Sequence, residues 1–100
     1  MQLEECREKI DAIDTEILRL LNLRAGLARG VGRIKASAGL PIIDLRREDV
    51  VLRRVARDSA GEISPDAVVR IYGEILAESR RIQLAIGAEA AAGTNSEAYR

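Results

Sequence analysis

Residues Leu3 to Ala38 read LEECREKIDAIDTEILRLLNLRAGLARGVGRIKASA. Leu3, Cys6, Ile10, Ile13, Ile17 and Leu20, then Leu27, Val31, Ile34 and Ala38, recur in steps of three and four. That spacing predicts one long amphipathic helix packed against other helices. The step between Leu20 and Leu27 falls on position 24, which is Arg24. A guanidinium therefore sits where the pattern asks for a hydrophobe. A buried cation is costly unless an anion meets it, so the sequence poses the question of what supplies that anion.

At 1.5 Å per residue the helix would be roughly 54 Å long. A compact chain of this length has a radius of gyration of about 13 Å. The remaining residues cannot cover such a rod alone, so either the helix breaks or a second chain covers it. Gly26, Gly30 and Gly32 offer places to break, at about 1 kcal/mol each relative to Ala. The apolar seam nevertheless keeps its phase across them, through Leu27, Val31 and Ile34. The reading is one continuous helix, with glycines permitting close helix–helix approach, in an intertwined dimer.

Beyond it, Gly39 is a natural stop and Pro41 cannot continue the helix. Asp44 caps a second helix running to about Asp58, with Leu45, Val51, Leu52 and Val55 as its apolar positions. Ser59-Ala60-Gly61 is a loop. Ser64 and Pro65 start a third helix, as N-cap and first helical residue. That helix is expected to end near Ala88, and its seam is Val68, Ile71, Tyr72, Ile75, Leu76, Ser79, Ile82, Gln83 and Ile86. Ser79 and Gln83 interrupt it one turn apart. The expectation is an all-α chain: a helical domain at 1–88 and a flexible tail at 89–100.

Composition removes several classes of function. The 100 residues carry 16 Lys plus Arg against 16 Asp plus Glu, so there is no basic excess for nucleic acid. The only aromatics are two Tyr, which cannot form a base-stacking platform. No run of about 18 apolar residues predicts a membrane span. The N-terminus is acidic and lacks a secretory apolar region. Cys6 is alone, which rules out an internal disulfide, suits a small core residue and fits a reducing, cytoplasmic setting. With no His and one Cys, a zinc site lacks ligands and a His-dependent nucleophile is excluded.

Arg24 and Lys35 lie 11 residues apart. They fall only about 20° apart around the helix and about 16 Å apart along it. Val31 lies between them, so two cations bracket an apolar floor, a geometry suited to a small ring with separated negative groups. Each also has a plainer reading: Lys35 as an end-of-helix charge, and Arg24 as partner of a structural carboxylate. Asp44, Arg47 and Glu48 cluster at the start of the second helix, where a cap with surface ion pairs is the plainer reading. Ser79 and Gln83 could simply bond a neighbouring helix. Taken together, three helices place polar groups on the face that should be core, which points to a polar pocket inside a helical bundle. Arg7 is about 100° around and about 25 Å away from Arg24. It can reach such a site only from the other chain of an antiparallel pair.

Over about residues 3 to 87 the sequence resembles the all-helical AroQ class of chorismate mutase. The motifs are Arg7-Glu8-Lys9-Ile10-Asp11, Leu21-Asn22-Leu23-Arg24, Val31-Gly32-Arg33-Ile34-Lys35, the run from Pro41 to Glu48, and Ser79-Arg80-Arg81-Ile82-Gln83. The resemblance implies an intertwined six-helix homodimer that converts chorismate to prephenate on the route to phenylalanine and tyrosine, without cofactor or metal. It further implies a substrate site of Arg24, Lys35, Asp44, Arg47, Glu48, Ser79 and Gln83, with Arg7 from the partner chain. In it, Arg7, Arg24 and Arg47 hold carboxylates, Ser79 binds one, and Asp44 orients its neighbours. Lys35 and Gln83 donate to the ether oxygen, Glu48 accepts from the ring hydroxyl, and Val31 and Leu76 form the apolar wall. Two competing readings are isochorismate-pyruvate lyase on the same scaffold and a non-catalytic dimerisation or regulatory module.

Overall fold

A computed structural model describes the backbone of residues 1–98 and the side chains of residues 1–92. The described residues form three helices: α1 (Leu3–Ala38), α2 (Leu45–Asp58) and α3 (Pro65–Ala98). Helix α1 runs unbroken through its glycines, as the phase of its seam predicts. Glu4 and Glu5 in its first turn and Lys35 in its last complement the helix dipole. It ends at Gly39, in the left-handed conformation at φ 68°, where the Leu40 N–H bonds the Lys35 carbonyl at 2.8 Å. A side chain there would clash with the backbone, so Gly suits the stop. The Asp44 carboxylate accepts from the Arg47 N–H at 3.0 Å, and the Ser64 hydroxyl from the Ala67 N–H at 3.2 Å. Both caps sit where the sequence puts them.

The end of the third helix differs from expectation. Helix α3 continues through the expected boundary at Ala88 to Ala98. Ala88 and Ala90 to Ala92 are strong helix formers, and no proline follows to stop them. Of the tail expected to be flexible, 89–100, the last two residues lie outside the described residues.

Helix α3 is the spine. It packs along both α1 and α2, while α1 and α2 do not pack on each other. The result is an open layer measuring 66 × 28 × 15 Å, with a radius of gyration of 18.1 Å. Among the described residues few are buried: Ala28 and Gly32 on α1, Val51 on α2, and Leu76, Ser79 and Ile86 on α3.

Within the chain, α1 buries Ala28 and Gly32, with Gly32 close against Gln83 of α3, while most large residues of its seam stay exposed. The seam is bare within the chain, with Ile13 58% and Leu27 68% exposed, and Ile10, Ile17, Leu20 and Ile34 exposed alongside them. A helix carrying two apolar faces can bury one in its own chain and leave the other for a second layer.

The glycines divide the same way. Gly26 and Gly30 have nothing within 4 Å of where a Cβ would stand, whereas a Cβ on Gly32 would lie 3.1 Å from the Gln83 Cα. Gly32→Ala therefore forces α1 and α3 apart at that point. Overpacking of this kind costs about 1–3 kcal/mol, against a gain of about 1 kcal/mol in helix propensity. We expect a net loss of stability in thermal unfolding, with turnover reduced further because Gln83 is displaced. Unchanged stability and turnover would contradict this close packing.

Among the described residues no helix is long and apolar enough to cross a membrane.

Candidate active site

One cavity of about 350 Å³ opens between the three helices. From α1 come Arg24, Leu27, Ala28, Val31 and Lys35; from the α1–α2 connection, Ile42 and the cap residue Asp44. Helix α2 supplies Arg47, Glu48, Val51 and Arg54, and α3 supplies Leu76, Ser79, Arg80 and Gln83. Nine of the ten residues singled out in the sequence line this one space. Arg7 does not. It lies near the start of α1, exposed and paired at 3.4 Å with Glu4, a surface contact worth little.

The polar groups hold one another while keeping donors in reserve. Arg24 donates to the Ser79 hydroxyl, which itself donates at 3.0 Å to the Ile75 carbonyl. A guanidinium has five N–H donors, and this bond uses one. Lys35 Nζ donates to the Ile42 carbonyl at 2.9 Å and to Gln83 Oε1 at 3.0 Å. An ammonium has three donors, so one remains. With its Oε1 turned to Lys35, Gln83 keeps its NH₂ as a donor.

Arg80 grips Glu48 through both oxygens, Nε to Oε2 at 3.0 Å and Nη2 to Oε1 at 2.5 Å. The bonds from Arg80 hold the Glu48 carboxyl below the usual carboxylate range; burial and Asp44 oppose this, and Lys35 assists. Arg80 is the residue the sequence reading missed, along with Arg54. Arg54 could have been found by extending the stripe of Asp44, Arg47, Glu48 and Val51 by one more helical step. Arg80 gives a weaker signal, because it stands beside the α3 seam, where a charge reads as solvated.

The cavity has a clear electrostatic sign. Arg24, Lys35, Arg47, Arg54 and Arg80 face Asp44 and Glu48, leaving an excess of three positive charges. Among the described residues neither Arg24 nor Lys35 has a carboxylate within ion-pair distance. The anion that Arg24 calls for is not supplied by the described residues of this chain. A larger hollow of about 600 Å³ shares Lys35 and Ile42 and extends along Leu84 to Ala91. It is walled mainly by Ala, Gly and Leu and has no converging polar groups. Among the described residues no three of His, Cys, Asp and Glu lie close enough to hold a metal ion.

The family model for chorismate mutase type II matches residues 6–84. The chain belongs to this family. Chorismate mutases are isomerases, and every residue lining the cationic cavity lies within the matched span. A bifunctional chorismate mutase/prephenate dehydratase from Aquifex aeolicus is 46% identical over 79 residues, covering 75% of this chain and 22% of that protein. A chorismate mutase from Methanocaldococcus jannaschii is 43% identical over 56 residues, covering 56% of this chain and 57% of that one. The chain thus spans about a fifth of the bifunctional relative's length and just over half of the other's. A solved chorismate mutase structure from Thermus thermophilus superimposes with a TM-score of 0.80 at 28% identity, covering 83% of this chain and 94% of that one.

Proposed function

We propose that this cavity rearranges chorismate to prephenate, and that a second copy of the chain completes it. The observation that carries the reading is the pair Arg24 and Lys35: two half-buried cations on one wall, without carboxylate partners among the described residues, with Val31 between them. A cyclic dianion with an apolar ring is the complement of that wall. The reaction is an intramolecular Claisen rearrangement. The ether C–O bond breaks as a C–C bond forms, and no proton, nucleophile or metal takes part. What such a step needs is a substrate held folded and positive charge at the oxygen that becomes anionic.

The unused donors fit those needs. Arg24 and Arg47 offer planar forks for carboxylates. The spare N–H of Lys35 and the NH₂ of Gln83 converge on the ether oxygen. Glu48 accepts from the ring hydroxyl, Ser79 adds a carboxylate contact, Asp44 holds the start of α2 in register, and Val31 and Leu76 flank the ring. The bare seam of α1 fits an antiparallel copy of itself, giving six intertwined helices and carrying the partner's Arg7 to this cavity. The enzyme would act in the cytoplasm, in aromatic amino acid biosynthesis. A relative named as a fused mutase and prephenate dehydratase fits that pathway.

The test is product analysis of the purified protein with chorismate and, separately, isochorismate. Prephenate from the first is expected. Pyruvate release from isochorismate alone, or inertness toward both, would overturn the proposal.

The pH response is a second check. An amide donates at every pH, so Gln83 needs no proton. Arg80 keeps Glu48 ionised below the usual carboxylate range. Turnover should be nearly flat from about pH 5 to about pH 8. A carboxyl lowered in the folded state stabilises the fold above its unfolded value and loses that contribution as pH falls through the lowered one. Loss of stability from this pair is therefore expected only in more acidic solution. A steep gain in turnover toward pH 5 would contradict the role given to Gln83.

A further inference from the structure

The clamp between Arg80 and Glu48 differs from every other ion pair described in the chain. The pairs Glu4–Arg7, Glu16–Arg19, Asp49–Arg53, Arg57–Asp58 and Glu78–Arg81 lie within single helices and are largely exposed. Arg80 and Glu48 join α3 to α2 across 32 residues of sequence, with side chains 35% and 19% exposed, and both line the cationic cavity. The arrangement is bidentate, with one N–H to each carboxylate oxygen. A carboxylate has about four lone-pair sites, so each oxygen keeps accepting capacity after the clamp closes.

We propose that Arg80 is a positioning residue, which fixes the plane of the Glu48 carboxylate so that its remaining lone pairs meet the substrate's ring hydroxyl. The inference rests on the chorismate reading of the cavity and adds a residue to it. A free Glu side chain has three rotatable bonds, and holding it in one geometry costs conformational entropy. The planar guanidinium fork, planted on the spine helix, meets that cost before substrate arrives and sets the orientation as well as the distance. A Lys at position 80 would supply charge without the fork.

The clamp also governs when Glu48 can accept. The charged groups around this carboxylate are Asp44 on its own side, Lys35 from α1 and Arg80 from α3, with Arg24, Arg47 and Arg54 elsewhere in the cavity. Asp44 and burial favour protonation; Lys35 opposes it less strongly than Arg80 does. Removing Arg80 therefore moves protonation of Glu48 to higher pH, and a protonated carboxyl loses accepting capacity.

The experiment compares kcat/KM for chorismate across pH in the wild type, Arg80→Lys and Arg80→Met, with circular dichroism to confirm folding. Misplacing one catalytic group can cost about 10²-fold, so Arg80→Met is expected to lose ten- to hundredfold at neutral pH. Its acid limb should move to higher pH than in the wild type. Arg80→Lys should keep the acid limb near the wild-type position while recovering only part of the rate. Should Arg80→Met fail to fold, the Lys variant decides: full wild-type kcat/KM there overturns the need for the fork. In a Glu48→Gln background, Arg80→Met should cost little more, because the group it orients is gone. A folded Arg80→Met enzyme with wild-type rate and acid limb would reduce Arg80 to a staple between α2 and α3. Inertness of the wild type toward chorismate would instead overturn the reading underneath, and is seen before any variant is made.

Discussion

Lys35→Ala is expected to lower kcat by about 10²–10³-fold, the usual cost of removing one donor aimed at a developing anion. The geometry makes this loss specific. Lys35 spends two N–H groups on the Ile42 carbonyl and Gln83 Oε1, which fix the ammonium at the end of α1 and leave its third donor free. Truncation removes that donor and also frees Gln83 from its anchor, so the two proposed contacts to the ether oxygen weaken together. Binding should suffer less than turnover, because the carboxylate clamps remain. Steady-state kinetics with chorismate measures the split. A Lys35→Ala enzyme with near-normal kcat would remove Lys35 from the reaction.

Arg24→Leu should move stability and activity in opposite directions. Arg24 is half-buried, gives one hydrogen bond to Ser79, and shares the cavity with four other cations. Leucine would restore the apolar step between Leu20 and Leu27 and relieve that repulsion, while Ser79 keeps its bond to the Ile75 carbonyl. Replacing buried charge with well-packed hydrophobes commonly stabilises by about 1–4 kcal/mol, so the melting temperature should rise. Loss of a carboxylate clamp should cut kcat/KM by about 10²-fold or more. Thermal unfolding and chorismate kinetics on the same preparation check both signs. A less stable variant would show that the guanidinium serves the fold; a fully active one would show that it serves nothing in the site.

The same residue explains why the lining of the cavity was legible in the sequence. Arg24, Ser79 and Gln83 break apolar stripes, so their oddity is visible without coordinates. The helix boundaries were legible for a similar reason: Gly39, Pro41, Asp44, Ser64 and Pro65 act through local backbone chemistry. Two features did not show. The α1–α3 contact uses Ala28 and Gly32, and small residues weigh little in a hydrophobic pattern even though they permit the closest approach. Arg80 has the polar character of a surface residue, and only the fold shows that Glu48 lies opposite it. The end of α3 was misjudged because alanine-rich sequence carries no stop signal.

The function proposed above, with the bare seam of α1 and Arg7 lying outside the cavity, makes one demand: that each site be built by two chains. Subunit exchange between Arg7→Ala and Arg24→Ala proteins tests it directly. Each variant alone lacks a carboxylate clamp in both of its sites. In a mixed dimer, one site combines an intact Arg24 with the partner's intact Arg7, and the other loses both. Random exchange of equal amounts should therefore recover about a quarter of wild-type chorismate turnover. No recovery after exchange is verified by mass, with one variant carrying a heavy-isotope label, would contradict a site shared between chains.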